Sequence, residues 1–201
     1  QLEKKIINFD ILIIGAGPGG IGASLSLKNS NKKIALIDEK NSIGGQYYKK
    51  ISKIFNIRSF NKLDEQIKEG ILYEKKVLKT NIDLFLGYKI WGAYKNNDSE
   101  YEICCSKNNV DLRILCKKLI VASGSYEKPF FVSGWHLPNV LTTGGTQILV
   151  NSQKILPGKK IIICGNGPLN FQLADELKRG GALVKAVVES SKNPFLSFIS
   201  S

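Results

Sequence analysis

Asp10-Ile-Leu-Ile-Ile-Gly15-Ala-Gly-Pro-Gly-Gly20 decides the fold. An apolar run that stops at Gly-x-Gly and resumes with a helical pattern reads as strand, tight turn and helix N-terminus. Glycine permits the turn and a close backbone approach. The helix start adds N–H groups without intrahelical partners and a partial positive charge. Together these make a cradle for a pyrophosphate, formed here by Gly15, Ala16, Gly17, Pro18, Gly19 and Gly20. Working outward, Gly19 to Asn29 reads as helix, with Ile21, Leu25 and Leu27 toward its buried face, and Lys33-Ile-Ala-Leu-Ile-Asp38 is a second strand. Gly15, Gly17 and Gly20 have the G-x-G-x-x-G spacing. Asp38 stands 18 positions after Gly20, where a carboxylate binds ribose hydroxyls. Glu39 and Lys40 either flank an adenosine or are solvated surface.

The turn recurs 150 positions on, where Ile161-Ile-Ile-Cys164 runs into Gly165-Asn-Gly-Pro168. Here the third glycine position is Asn170, so helix and strand pack less closely. Glu189 ends the next strand, 23 residues after Asn166, and no Arg beside it favours a 2′-phosphate. For Gly165 and Gly167 two readings stay open: a working nucleotide site, or a retained fold whose site is degenerate or differently occupied.

At 201 residues, with 43% apolar and 23% charged residues, the chain has material for a large core. Its longest apolar runs are strand-sized, short of the roughly 18–20 residues of a membrane span. No secretion signal is legible at the N-terminus. The chain begins with Gln and contains no Met. This suggests that the true start is missing, and a second glycine-turn unit of only two strands and one helix, too little to cover a parallel sheet, reads as the N-terminal part of a longer protein. The expected location is cytoplasmic, or peripheral to the inner membrane face. The net charge of +12 comes from scattered Lys pairs and only three Arg, with no aromatic-interleaved basic stripe, so it reads as solvated surface rather than a nucleic-acid site. Cys104, Cys105, Cys116 and Cys164 include no Cys-x-x-Cys, and His136 is the only histidine. Zinc, iron–sulfur and redox-disulfide chemistry lack ligands on this pattern, and buried small hydrophobes are the better reading of the cysteines.

Ser42-Ile-Gly-Gly-Gln46 reads as a glycine-rich loop. Asn61 to Lys79 reads as an amphipathic helix capped by Asn61, with Leu63, Ile67, Ile71 and Leu78 apolar. Alternating runs near 82–94, 100–106 and 110–116 predict an antiparallel meander. Lys118 to Ala122 is a further buried strand, Thr143 to Lys154 a helix, and 160–189 a repeat of strand, turn, helix and strand. The expected fold class is α/β. A Rossmann-like domain, with a parallel sheet carrying an antiparallel β-meander, spans 1–127. An interdomain segment follows over 128–157, and a second, incomplete Rossmann-like domain begins over 158–201.

Asp10 to Gly20, Gly44-Gly-Gln46, Leu119-Ile-Val-Ala-Ser-Gly124 and Gly134-Trp-His-Leu-Pro-Asn-Val140 follow one another in an order that resembles the two-dinucleotide-binding-domain flavoproteins, a group that includes thioredoxin and glutathione reductases. A longer run is more specific. It passes from Gly134-Trp135 through Leu137-Pro138, Val140, Thr142 and Gln147 to Pro157-Gly158 and Gly165-x-Gly-Pro-Leu169. It resembles the FAD-binding subunit of opine oxidases, hydrogen cyanide synthase and dye-linked proline dehydrogenases, with relatives in the alpha chain of sarcosine oxidase.

The resemblance implies FAD, with its pyrophosphate on Gly15 to Gly20 and its ribose on Asp38. It places Gly44, Gly45 and Gln46 near the flavin and the backbone of Ile90 against adenine. Ala122-Ser123-Gly124 corresponds to an A-T-G turn that closes over FAD, with Ser123 keeping the hydroxyl. Trp135 and Pro138 shape the interdomain connection as readily as they touch a ligand, and His136 reads as surface. The implied chemistry is hydride removal from the carbon beside the amine of a small-molecule substrate, an amino acid or opine-like amine. A partner subunit would carry the amine-oxidising site. Two alternatives stand beside this: an NAD(P)H-dependent reductase, with NAD(P) or another nucleotide on the second turn, and a non-catalytic electron-transfer subunit. No residue stands out as catalytic.

Overall fold

Leu12 and Ile13 are neighbours in sequence and both are fully buried, as are Leu36 and Ile37. Successive residues of a strand point to opposite sides, so these two strands must be covered above and below. The computed structural model of the protein describes residues 5–48, 50–52, 54, 64–96, 100–129 and 131–189, and shows both covers. β1 (Lys5–Ile14), α1 (Pro18–Leu27), β2 (Ile34–Asp38), α2 (Glu65–Val77), β3 (Asp83–Leu86), β4 (Lys89–Lys95), β5 (Tyr101–Lys107) and β6 (Val110–Val121) form one mixed sheet with its helices. The strand order is β3-β2-β1-β6-β5-β4. β3, β2, β1 and β6 run parallel, and β5 is antiparallel to both β6 and β4.

On one face Ile11, Ile13, Ile34 and Leu36 meet Ile21 of α1 and Val77 of α2. On the other, Leu12, Ala35 and Ile37 cluster with Ile103, Cys105, Leu112, Ile114 and Cys116. The antiparallel strands thus supply the second cover. Each fully buried Leu or Ile contributes about 1.5–3 kcal/mol, so the two clusters carry most of the stability of this unit.

The expected α/β, Rossmann-like architecture is present. Three local expectations change. The run 82–94 is not one meander strand: it breaks at Gly87, whose N–H and that of Tyr88 bind the carbonyl of Asp38, and β3 before the break joins the parallel sheet beside β2. The runs 110–116 and 118–122 are one strand, β6, which pairs with β5 on one side and β1 on the other. The helix expected over 61–79 is α2, Glu65–Val77; Leu78 beyond it is exposed, while Asn61 and Leu63 lie outside the described residues.

The chain divides into two compact units, Gln1–Lys50 with Ile57–Ser125 and Ile51–Asn56 with Tyr126–Ser201. In the second unit α3 (Thr143–Gln147) passes into a π-helical turn, Ile148–Ser152, where a single helix to Lys154 was expected. β7 (Lys160–Cys164), α4 (Pro168–Arg179) and β8 (Leu183–Val188) then repeat the parallel strand–helix–strand unit around Ile163, Leu173, Leu177 and Ala182.

Candidate dinucleotide site

The first glycine turn closes at the carboxyl ends of β1 and β2. Gly15 N–H donates to Ile37 O at 2.8 Å, and Ala122 N–H, just past β6, donates to Ile14 O at 2.7 Å. Gly15 has φ +99°, and a Cβ there would stand 2.2 Å from the Ala122 carbonyl oxygen. A Cβ on Gly20 would stand 1.7 Å from the carbonyl oxygen of Gly15. These two glycines are required by the chain's own packing.

Gly17 differs. Its φ of −76° suits any residue, and the nearest atom to an added Cβ is the Gly45 Cα at 3.8 Å. Among the described residues nothing needs glycine at 17, and its bare backbone leaves space that a side chain would fill. Gly17 is also the N-cap of α1, with no side-chain cap and with Pro18 in the first turn. The N–H groups of that turn have no intrahelical acceptors and suit an anion. This arrangement fits the pyrophosphate of a dinucleotide.

Asp38 lies beneath the turn. Its Oδ2 accepts the Ala16 N–H at 2.6 Å and its Oδ1 the Lys40 N–H at 2.7 Å. Glu39 is exposed beside it. The Gly44–Gly45 loop forms the second wall: Gly44 N–H donates to Ala16 O at 2.8 Å, and Gly45 abuts Gly17. Gln46, Ser123 and Gly124 are exposed next to these walls. Ile90 lies in β4, paired with Cys105 at the edge of a bulge, two residues beyond Tyr88. The structure therefore gathers Gly15 to Gly20, Asp38, Gly45 and Ala122 by direct contact. Sequence reasoning missed two supports, the Gly87–Tyr88 amides on Asp38 O and Tyr48 behind Gly44. Gly70, a glycine inside a helical pattern, was the legible signal for the second.

The second turn has the same frame. Gly165 N–H donates to Val188 O at 3.0 Å, as Gly15 does to Ile37, which makes Glu189 the counterpart of Asp38. Its carboxylate takes the Gly167 N–H at 3.4 Å, and its other oxygen is buried with no hydrogen-bond partner among the described residues. Asn170 is buried where the first turn has Gly20; its Oδ1 accepts the Thr143 hydroxyl at 2.8 Å. Among the described residues no three His, Cys, Asp or Glu side chains gather as a metal site, and no helix is long and apolar enough to cross a membrane. Cys104, Cys105 and Cys116 are buried and free, whereas Cys164 is exposed.

A parallel sheet with a glycine cradle at its carboxyl edge, an antiparallel cover and a second glycine turn on a further β-α-β unit defines a dinucleotide-binding α/β protein. Residues 9–197 match the family described as pyridine nucleotide-disulphide oxidoreductase, and the chain belongs to it, a family of FAD-dependent oxidoreductases. The chain is similar to an opine oxidase subunit of Agrobacterium tumefaciens, 28% identical over 93% of this chain and 38% of that protein. It is also similar to hydrogen cyanide synthase subunit HcnB of Pseudomonas protegens, 27% identical over 89% of this chain and 38% of the relative. The chain thus spans well under half the length of these relatives. Among solved structures, L-proline dehydrogenase from P. horikoshii shares the fold, with a TM-score of 0.72, 23% identity, and coverage of 94% of this chain and 36% of that one.

Proposed function

We propose that this chain is the FAD-binding part of an oxidoreductase subunit that oxidises an amino acid or opine-like amine. The observation that carries FAD binding is Gly17: a glycine the fold does not need, at an uncapped helix start, walled by Gly45. Gly15, Ala16, Gly17, Gly19 and Gly20 would hold the pyrophosphate and Ala122, Ser123 and Gly124 would border it, while Gln46 would stand near the flavin and the backbone of Ile90 near adenine. Asp38 spends both carboxylate oxygens on backbone N–H groups, which makes it the brace of the turn and leaves the exposed Glu39 the better ribose ligand. The amine donor is favoured by relatives whose names say opine oxidase and sarcosine oxidase, each one subunit of a larger enzyme. FAD held there would supply the hydride acceptor, and the residues of this chain would bind and orient it. A partner subunit completes the amine-oxidising site.

The shared frame of the two turns favours a second reading, a nicotinamide nucleotide on Gly165 and Gly167 that delivers hydride. Stopped-flow mixing of the full-length flavoprotein with N-substituted amino acids, NADH and NADPH separates them. Bleaching by an amine, in the presence of the partner subunit, is the expected result. Rapid bleaching by NADH or NADPH with no response to amines overturns the amine reading.

A further inference from the structure

Tyr48 stands one layer behind the cradle. Its N–H donates to Gly44 O at 3.1 Å, and Gly44, at φ +131°, approaches it so closely that an added Cβ would stand 2.5 Å from the Tyr48 carbonyl oxygen. On its far side Tyr48 meets α2 at Gly70, where a Cβ would stand 2.7 Å from its own Cβ and 3.3 Å from its Cγ. Its ring lies 5.5 Å from that of Tyr73, one turn on, and Lys50 pairs with Glu74 of the same helix. In front, Gly45 at φ +63° is pressed on Gly17, so that a Cβ on Gly45 would stand 2.7 Å from the Gly17 Cα. A continuous line of contacts thus runs from Gly70 through Tyr48, Gly44 and Gly45 to Gly17.

Glycine inside a helix weakens it, so Gly70 needs a reason of its own. The close approach of Tyr48 is that reason. We propose that Tyr48 is a positioning residue of the cradle: wedged against Gly70, it holds the Gly44–Gly45 loop on Gly17 and so sets how tightly the dinucleotide is retained. The wedge rests on the reading of this turn as the FAD site. The Tyr48 ring and its volume do the work. The hydroxyl is not needed.

The test uses the full-length protein, with FAD affinity read by flavin fluorescence, the bound flavin by visible circular dichroism, and the apoprotein by its melting temperature. Gly70→Ala favours the helix intrinsically, yet is expected to weaken FAD binding at least tenfold and to change the flavin dichroism, because the new methyl pushes Tyr48 forward. Tyr48→Leu is expected to weaken binding as much, and Tyr48→Phe to stay within twofold of the parent. Tyr48→Leu carries the test if Gly70→Ala does not fold. FAD affinity within twofold of the parent in Tyr48→Leu overturns the proposal, as does an equal loss in Tyr48→Phe. Gly17→Val separates the two readings. If it still retains FAD, the cradle itself is wrong; if it loses FAD while Tyr48→Leu and a folded Gly70→Ala keep it, only the wedge is wrong.

Discussion

The carboxylate of Asp38 accepts the backbone N–H of Ala16 at 2.6 Å across 22 residues of sequence, which ties the end of β2 to the middle of the glycine turn. With the second oxygen on the Lys40 N–H, the side chain orders both the turn and the segment leading to Gly44. A sequence motif that reads as ligand binding thus includes a residue that first holds the protein's own backbone.

Asp38 and the adjacent Glu39 are therefore expected to separate. Asp38→Ala removes two charge-assisted acceptors, each worth about 1.5–3 kcal/mol, and lowers the stability of the apoprotein in a urea titration by at least that of one bond. Glu39→Ala, at an exposed position, changes apoprotein stability by no more than about 0.5 kcal/mol but weakens FAD binding. Equal stability losses in both variants, or unchanged FAD affinity in Glu39→Ala, would return the ribose contact to Asp38.

The three glycines of the first turn should divide in the same way. Gly15→Ala and Gly20→Ala drive a methyl into a carbonyl oxygen 2.2 and 1.7 Å away and are expected to abolish soluble folded protein. Gly17→Ala meets nothing within 3.4 Å and should leave the apoprotein melting point nearly unchanged while the purified protein loses its yellow colour. A colourless, unfolded Gly17→Ala would show that position 17 serves the fold after all.

How much of this was legible beforehand follows contact range. The strand, turn and helix around Gly15 to Gly20 rest on local spacing, and Asp38 is placed by the length of one βαβ unit. The division of 82–94 at Gly87 rests on amides that reach Asp38 O, nearly fifty positions away, and alternation looks the same in a parallel edge strand and a meander strand. The continuity of β6 was hidden because its two halves serve different neighbours. For Tyr48 the sequence held one hint, Gly70 inside a helical pattern, but nothing in it tells which side chain takes the space that Gly70 leaves.

Asn170 is expected to be structural. Its Oδ1 holds the Thr143 hydroxyl, joining the first turn of α4 to α3, and its side chain fills the gap over Gly165. Asn170→Ala should destabilise the second unit by about 0.5–1.5 kcal/mol, read as faster amide exchange in α3 and α4 of the full-length protein. If exchange is unchanged there, the bond contributes nothing to holding α3.

The cysteines give a pH prediction. Burial pushes the Cys105 and Cys116 thiols up to about 11 from 9.0; Cys105 also donates to Leu112 O. Burial, reinforced by Glu102, raises Cys104 as well. Between pH 9.0 and about 11 the unfolded chain has released protons that the folded one retains, so it binds fewer protons and stability falls as pH rises. Below pH 9.0 these groups contribute no slope. Denaturant midpoints should hold steady to about pH 9 and then decline, and replacing Cys105 and Cys116 with Ala should flatten the decline. At pH 8 iodoacetamide should modify Cys164 in the folded protein and reach the other three only after denaturation. Rapid labelling of Cys105 or Cys116 under native conditions would mean that the antiparallel cover over β1 and β2 opens readily, and that these thiols are not sealed in the core.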